Sequence, residues 1–98
     1  MPTTDEDLVP LRKQLKAARA LLGFGQLNVQ EETSISTQTV VRIETCDPTK
    51  KVRPYTLQGL KAYYESQGVE FAPDGWVRLN EAVYEAQDEA RAARRTTP

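Results

Sequence analysis

The stretch SISTQTVVRIE, residues 34–44, decides how this chain is read. Ser36 carries a side-chain oxygen of the kind that caps a helix N-terminus, and it stands directly before a helical pattern. Val40 and Ile43 fall three apart, so a helix over 37–44 turns both toward a core. Its opposite face carries Thr37, Gln38, Val41 and Arg42. These are two hydrogen-bonding tips, one aliphatic group and one guanidinium, where an ordinary solvated face places long charged side chains.

Outward from this stretch, residues 26–33 read as a second short helix with Val29 turned inward, and Ser34-Ile35-Ser36 is the tight turn between the two. Upstream, Leu11, Leu15, Ala18 and Leu22 form the buried stripe of a first helix. Pro10 suits its first turn and Gly23 its C-terminal stop. Downstream, TCDPTKKVRP (45–54) reads as a basic loop broken by two prolines. A fourth helix over about 55–67 buries Leu57, Leu60 and Tyr64 and ends at Gly68. The period then changes to two. VEF (69–71) and WVRL (76–79) flank APDG (72–75), which predicts a β-hairpin with Val69 and Phe71 on the same face as Val77 and Leu79. Asn80 caps a last helix running to about Arg94. Its apolar face, Val83, Ala86, Ala90 and Ala93, is narrow, so this helix either pairs with another chain or frays.

The chain of 98 residues has room for one compact domain with extensions: an acidic, flexible N-terminus (1–9), a helical domain (10–67), the hairpin (68–79) and the C-terminal helix and tail (80–98). Its 39% hydrophobic and 28% charged residues are those of a soluble globular protein. No apolar run approaches membrane-spanning length, and MPTTDEDLVP is not a signal peptide. Cys46 is the single cysteine, so no internal disulfide framework exists and a reducing cytoplasm is the natural setting. The net charge of −1 hides an asymmetry. Residues 11–61 carry nine bases against four acids, whereas 62–98 carry four against seven. For a polyanionic partner a local basic segment matters more than the total.

Two short helices joined by a three-residue turn have the layout of a helix-turn-helix. Taken with ARALLGFGQ (18–26), SISTQTVVRIE (34–44) and RPYTLQGLKAYYESQGVEF (53–71), the chain resembles the XRE family of Cro- and phage-repressor-like DNA-binding domains over roughly three quarters of its length. The resemblance implies a mostly α, lambda-repressor-like fold of four to five helices with a C-terminal β-hairpin and a final helix. It implies that Thr37, Gln38, Val41 and Arg42 read base edges. It also implies that Gln26, Ser36 and Thr39 meet phosphate, and that Lys50, Lys51 and Arg53 grip the backbone. Arg19 and Glu44 stand where related domains tie helix one to helix three by an ion pair. The chemistry agrees: Gln pairs with adenine N6 and N7, Arg forks onto guanine O6 and N7, and Val meets a thymine methyl.

Three positions depart from the family pattern. Ser34 stands where glycine is usual because the turn needs φ > 0, and serine there is strained. Gln30 replaces an alanine and must bend its amide toward solvent. Gly25 replaces a capping serine or threonine. Tyr63 and Tyr64 read as packing residues, Cys46 as a loop thiol, and Trp76 as a lid on the hairpin or, with Val83, a dimer contact. The chain has no histidine, no metal-ligand cluster and no glycine-rich phosphate loop, so the expectation is no enzyme activity, no metal and no cofactor. The expected function is a cytoplasmic, nucleoid-associated transcriptional regulator of bacterial or phage type. It would be a repressor that binds a palindromic double-stranded DNA operator as a homodimer. The alternative is a protein-interaction module, such as an antitoxin or co-regulator, whose acidic residues 62–98 bind a partner.

Overall fold

Strong helical periodicity over the first two thirds and a brief alternation after it give a mostly helical protein with a small hairpin. The computed structural model describes the backbone of residues 5–96 and the side chains of 8–93. In order, the elements are α1 (Asp5–Leu22), α2 (Gln26–Thr33), α3 (Thr37–Glu44), α4 (Pro54–Ser66), β1 (Val69–Phe71), β2 (Val77–Leu79) and α5 (Glu81–Thr96). α1 is the central element and packs against α3, α4 and both strands, while α2 packs on α3. The core is built from Leu15, Ala18 and Leu22 of α1, Val29 of α2, Val40 and Ile43 of α3, and Leu57, Leu60 and Tyr64 of α4. Val69 closes it from the hairpin. Each completely buried aliphatic side chain contributes about 1.5–3 kcal/mol.

The strands pair antiparallel, with Val69 opposite Leu79 and Phe71 opposite Val77, so the four apolar residues share the face turned toward α1 and α4. Arg78 and Glu70 pair across the other face. Gly68 joins α4 to β1 at φ 111°, and a Cβ there would lie 2.9 Å from the Tyr84 amide nitrogen. Only glycine lets the first turn of α5 cross so closely over this junction.

The first helix begins at Asp5, not near Pro10, and Pro10 lies inside it. Proline removes one hydrogen bond there, but Leu8 packs against the core. Residues 5–9, expected to be a flexible N-terminus, are therefore helical, and residues 1–4 of that segment lie outside the described residues. The last helix, expected to end near Arg94, runs to Thr96, and Asn80 Oδ1 accepts from the Val83 amide at 3.2 Å as its cap. It meets the body through Tyr84 and Arg91. Val83, Ala86 and Ala90 of its expected apolar face are exposed. Among the described residues no helix is long and apolar enough to cross a membrane, and no group of metal-ligating side chains occurs.

Candidate nucleic-acid interface

Each end of α3 is fastened by its own polar contacts. At the N-terminus, Ser36 Oγ accepts from the Thr39 amide at 3.2 Å and bonds the Thr39 hydroxyl at 2.9 Å. Gln30 does not turn its amide to solvent as expected. Its Oε1 accepts from the Thr37 amide at 2.8 Å, so the residue that replaces an alanine supplies a second cap to α3. Between the helices Ser34 adopts φ 64°, the left-handed conformation that the turn demands, and its amide closes α2 onto the Gln30 carbonyl. Gly25, which has no side chain to cap α2, is compensated by Asn28, whose Oδ1 accepts from the Gly25 amide at 2.9 Å.

At the other end, Cys46 takes φ 56°, and its amide bonds the Ile43 carbonyl at 3.2 Å in the manner of a left-handed helix stop. This conformation was not legible, because cysteine is not a residue that marks it. Two carbonyls at this end, Ile43 O shared with the Cys46 amide and Arg42 O shared with the Thr45 hydroxyl, also accept from Arg12, which is only 1% exposed. Its guanidinium donates to Ile43 O at 3.0 Å, to Arg42 O at 2.6 Å and to Lys50 O at 3.1 Å. Positive charge at the negative end of a helix dipole is favourable, and three acceptors offset the desolvation of the cation. Sequence reasoning counted Arg12 only toward the basic segment. The available signal was its register, which places it on the same face as Leu8, Leu15 and Arg19.

Arg19 and Glu44 form a two-pronged ion pair, Nε to Oε2 at 2.6 Å and Nη2 to Oε1 at 2.7 Å, while Nη1 donates to Phe24 O at 2.8 Å. The bond to Glu44 holds the guanidinium pKa above its ordinary value. Tyr64 is buried in the core near this pair, and burial pushes its hydroxyl pKa up, reinforced by the negative charge of Glu44. A buried pair is a registration device as much as a source of stability, since removing one partner strands the other charge.

With its ends and inner face so held, α3 leaves Gln38, Val41 and Arg42 exposed and Thr37 half-buried at the rim. The following loop is ordered. Asp47 Oδ1 accepts from the Thr49 amide at 2.9 Å and hydroxyl at 2.7 Å, and these bonds hold its carboxyl pKa below the ordinary value. Buried Val52 pins the loop to the core, and Lys50, Lys51 and Arg53 all point outward. Tyr55, which sequence reasoning placed only as the start of a helix, is 87% exposed two residues after Arg53. Gln26 is half-buried as the first residue of α2. The structure does not bring Trp76 and Val83 into this region. Trp76 lies at the hairpin with Arg78 5.6 Å from its ring, and Val83 opens α5.

No family model, curated protein or solved structure matches this chain.

Proposed function

We propose that this protein is a sequence-specific, double-stranded DNA-binding transcriptional regulator of the helix-turn-helix class, with a lambda-repressor-like domain of XRE type. It acts as a homodimeric repressor on a palindromic operator. The observation that carries the reading is a short helix secured by Ser36, Gln30, Arg12 and the Arg19–Glu44 pair, yet exposing Gln38, Val41 and Arg42 rather than a solubilising face. Reading base edges requires a rigid backbone that delivers a few side chains into the major groove, and fixed helix ends serve that requirement. Lys50, Lys51 and Arg53 meet phosphates beside it, with the Tyr55 hydroxyl adding one more donor. The amides at the start of α2, with Gln26, provide a further phosphate contact. Two copies of α3 about 34 Å apart then enter successive major grooves.

Selection from a random duplex library tests this reading. Enrichment of a palindrome with half-sites about one helical turn apart is the expected result. Recovery of no motif, with binding no tighter than to bulk DNA, overturns it.

A second reading is favoured by the outward face of α5, where Val83, Ala86 and Ala90 are exposed. In that reading the acidic segment 62–98 docks another protein, as in an antitoxin or co-regulator, and DNA binding is secondary.

A further inference from the structure

Gln30 carries a group that its capping role leaves unused. The backbone amide of Thr37 can only donate, so the Gln30 atom that meets it at 2.8 Å is the carboxamide oxygen. That bond fixes the polarity of the carboxamide, with Oε1 engaged and Nε2 as the free end. Among the described residues Nε2 has no acceptor and, unlike the Tyr64 hydroxyl, it is not sealed from solvent. The C=O and C–N bond lengths put it within about 5 Å of the Thr37 nitrogen. It therefore stands at the end of α3 that carries Thr37 and exposed Gln38.

An unrestrained glutamine reads adenine with both ends, its oxygen taking the N6 proton and its nitrogen giving to N7. Gln30 cannot do so, because its oxygen is already engaged. It offers one donor with a fixed direction. In the major groove guanine, adenine and thymine each present an acceptor, whereas cytosine presents only the N4 donor. We propose, on the basis of the DNA-reading function above, that Gln30 is a specificity-determining residue that reaches across from α2. Its Nε2 donates to a base acceptor beside the contact of Thr37, and so excludes cytosine from one position of each half-site. The bond to Thr37 holds the carboxamide before DNA arrives, so little side-chain freedom is lost on binding. A neutral donor adds selection, while the cations of the 45–54 loop supply the phosphate attraction.

Gln30→Glu separates the capping role from the reading role. A carboxylate keeps an oxygen for the Thr37 amide and suits the positive end of α3, so the cap persists. The outward donor becomes an acceptor, which pairs with cytosine N4. Selection from a random duplex library is run with the full-length wild type and with Gln30→Glu, and exchange of the Thr37 amide is followed in both. The wild type is expected to disfavour cytosine at one half-site position by about fivefold or more. The variant is expected to prefer cytosine there, with the ranking at the other positions unchanged. Its added negative charge weakens binding to every sequence, so the ranking and not the total affinity is the readout. A Gln30 that only caps α3 leaves the ranking as it was. A wild-type motif that Gln30→Glu reproduces at every position therefore overturns the proposal while leaving base reading by α3 intact. Loss of Thr37 amide protection in the variant overturns it as well, since an oxygen would then not be what holds α3. No motif from the wild type removes the DNA-reading function itself, and this role with it.

Discussion

Ser34 holds φ 64° in the turn between α2 and α3, and it is exposed, so nothing packs its side chain in return for the strain. A left-handed L-residue costs about 1–2 kcal/mol, of which glycine gives back part through its greater freedom in the unfolded chain. Ser34→Gly is therefore expected to raise stability by about 0.5–1 kcal/mol in denaturant titration. An unchanged or lower midpoint would mean that the serine hydroxyl stabilises the turn. The need for φ > 0 here was legible, because two helices joined by three residues leave few backbone solutions. The same requirement at Cys46 was not, because cysteine does not mark a left-handed position, and here the Arg42 carbonyl accepts from Arg12 and the Thr45 hydroxyl. In a complete left-handed helix stop that carbonyl would bond an amide beyond Cys46. Arg12 was hidden for a related reason. A buried arginine follows from the positions of Ile43, Arg42 and Lys50, more than 29 residues away, and no local pattern encodes them.

At the level of elements, periodicity was informative wherever one face is apolar. Leu15, Ala18 and Leu22, then Val40 and Ile43, then Leu57, Leu60 and Tyr64 lie in the core because spacing of three and four residues faces one way. The alternation in the hairpin specified its register equally well. In α5 the alanines of the expected narrow apolar face are turned to solvent, and the contacts with the body, which the pattern did not mark, come from Tyr84 and an arginine held between aromatic rings. The pattern was silent on Val52, the single apolar residue that orders an otherwise polar loop. That loop carries a prediction of its own. Lys50 gives its carbonyl to Arg12 while its side chain stays outward. Lys50→Ala therefore removes charge without disturbing the backbone. DNA affinity measured against salt is expected to lose about one unit of slope with the ranking of sequences unchanged. An unaltered slope would place Lys50 off the DNA.

For the whole molecule, the outer face of α5 is exposed, with Val83, Ala86 and Ala90 in solvent. Trp76 is 49% exposed at the hairpin and Val83 38% exposed at the start of the helix. Homodimerisation through this side predicts that Val83→Asp, a change on a solvent-facing helix position, converts a dimer to a monomer in sedimentation with unchanged helix content. A wild-type protein that is monomeric alone, and associates only with a different protein, favours the interaction-module reading instead. The central claim concerns α3, and single-base variants of the selected operator test it most directly. Affinities for these variants should be measured with the wild-type protein and with Arg42→Ala. The arginine side chain is exposed on α3, and its fork suits a guanine. The variant is expected to lose about 1–3 kcal/mol of discrimination at one base pair per half-site, with preferences at the other positions kept. Uniform weakening across every operator variant, or no loss at all, would contradict base reading by this helix.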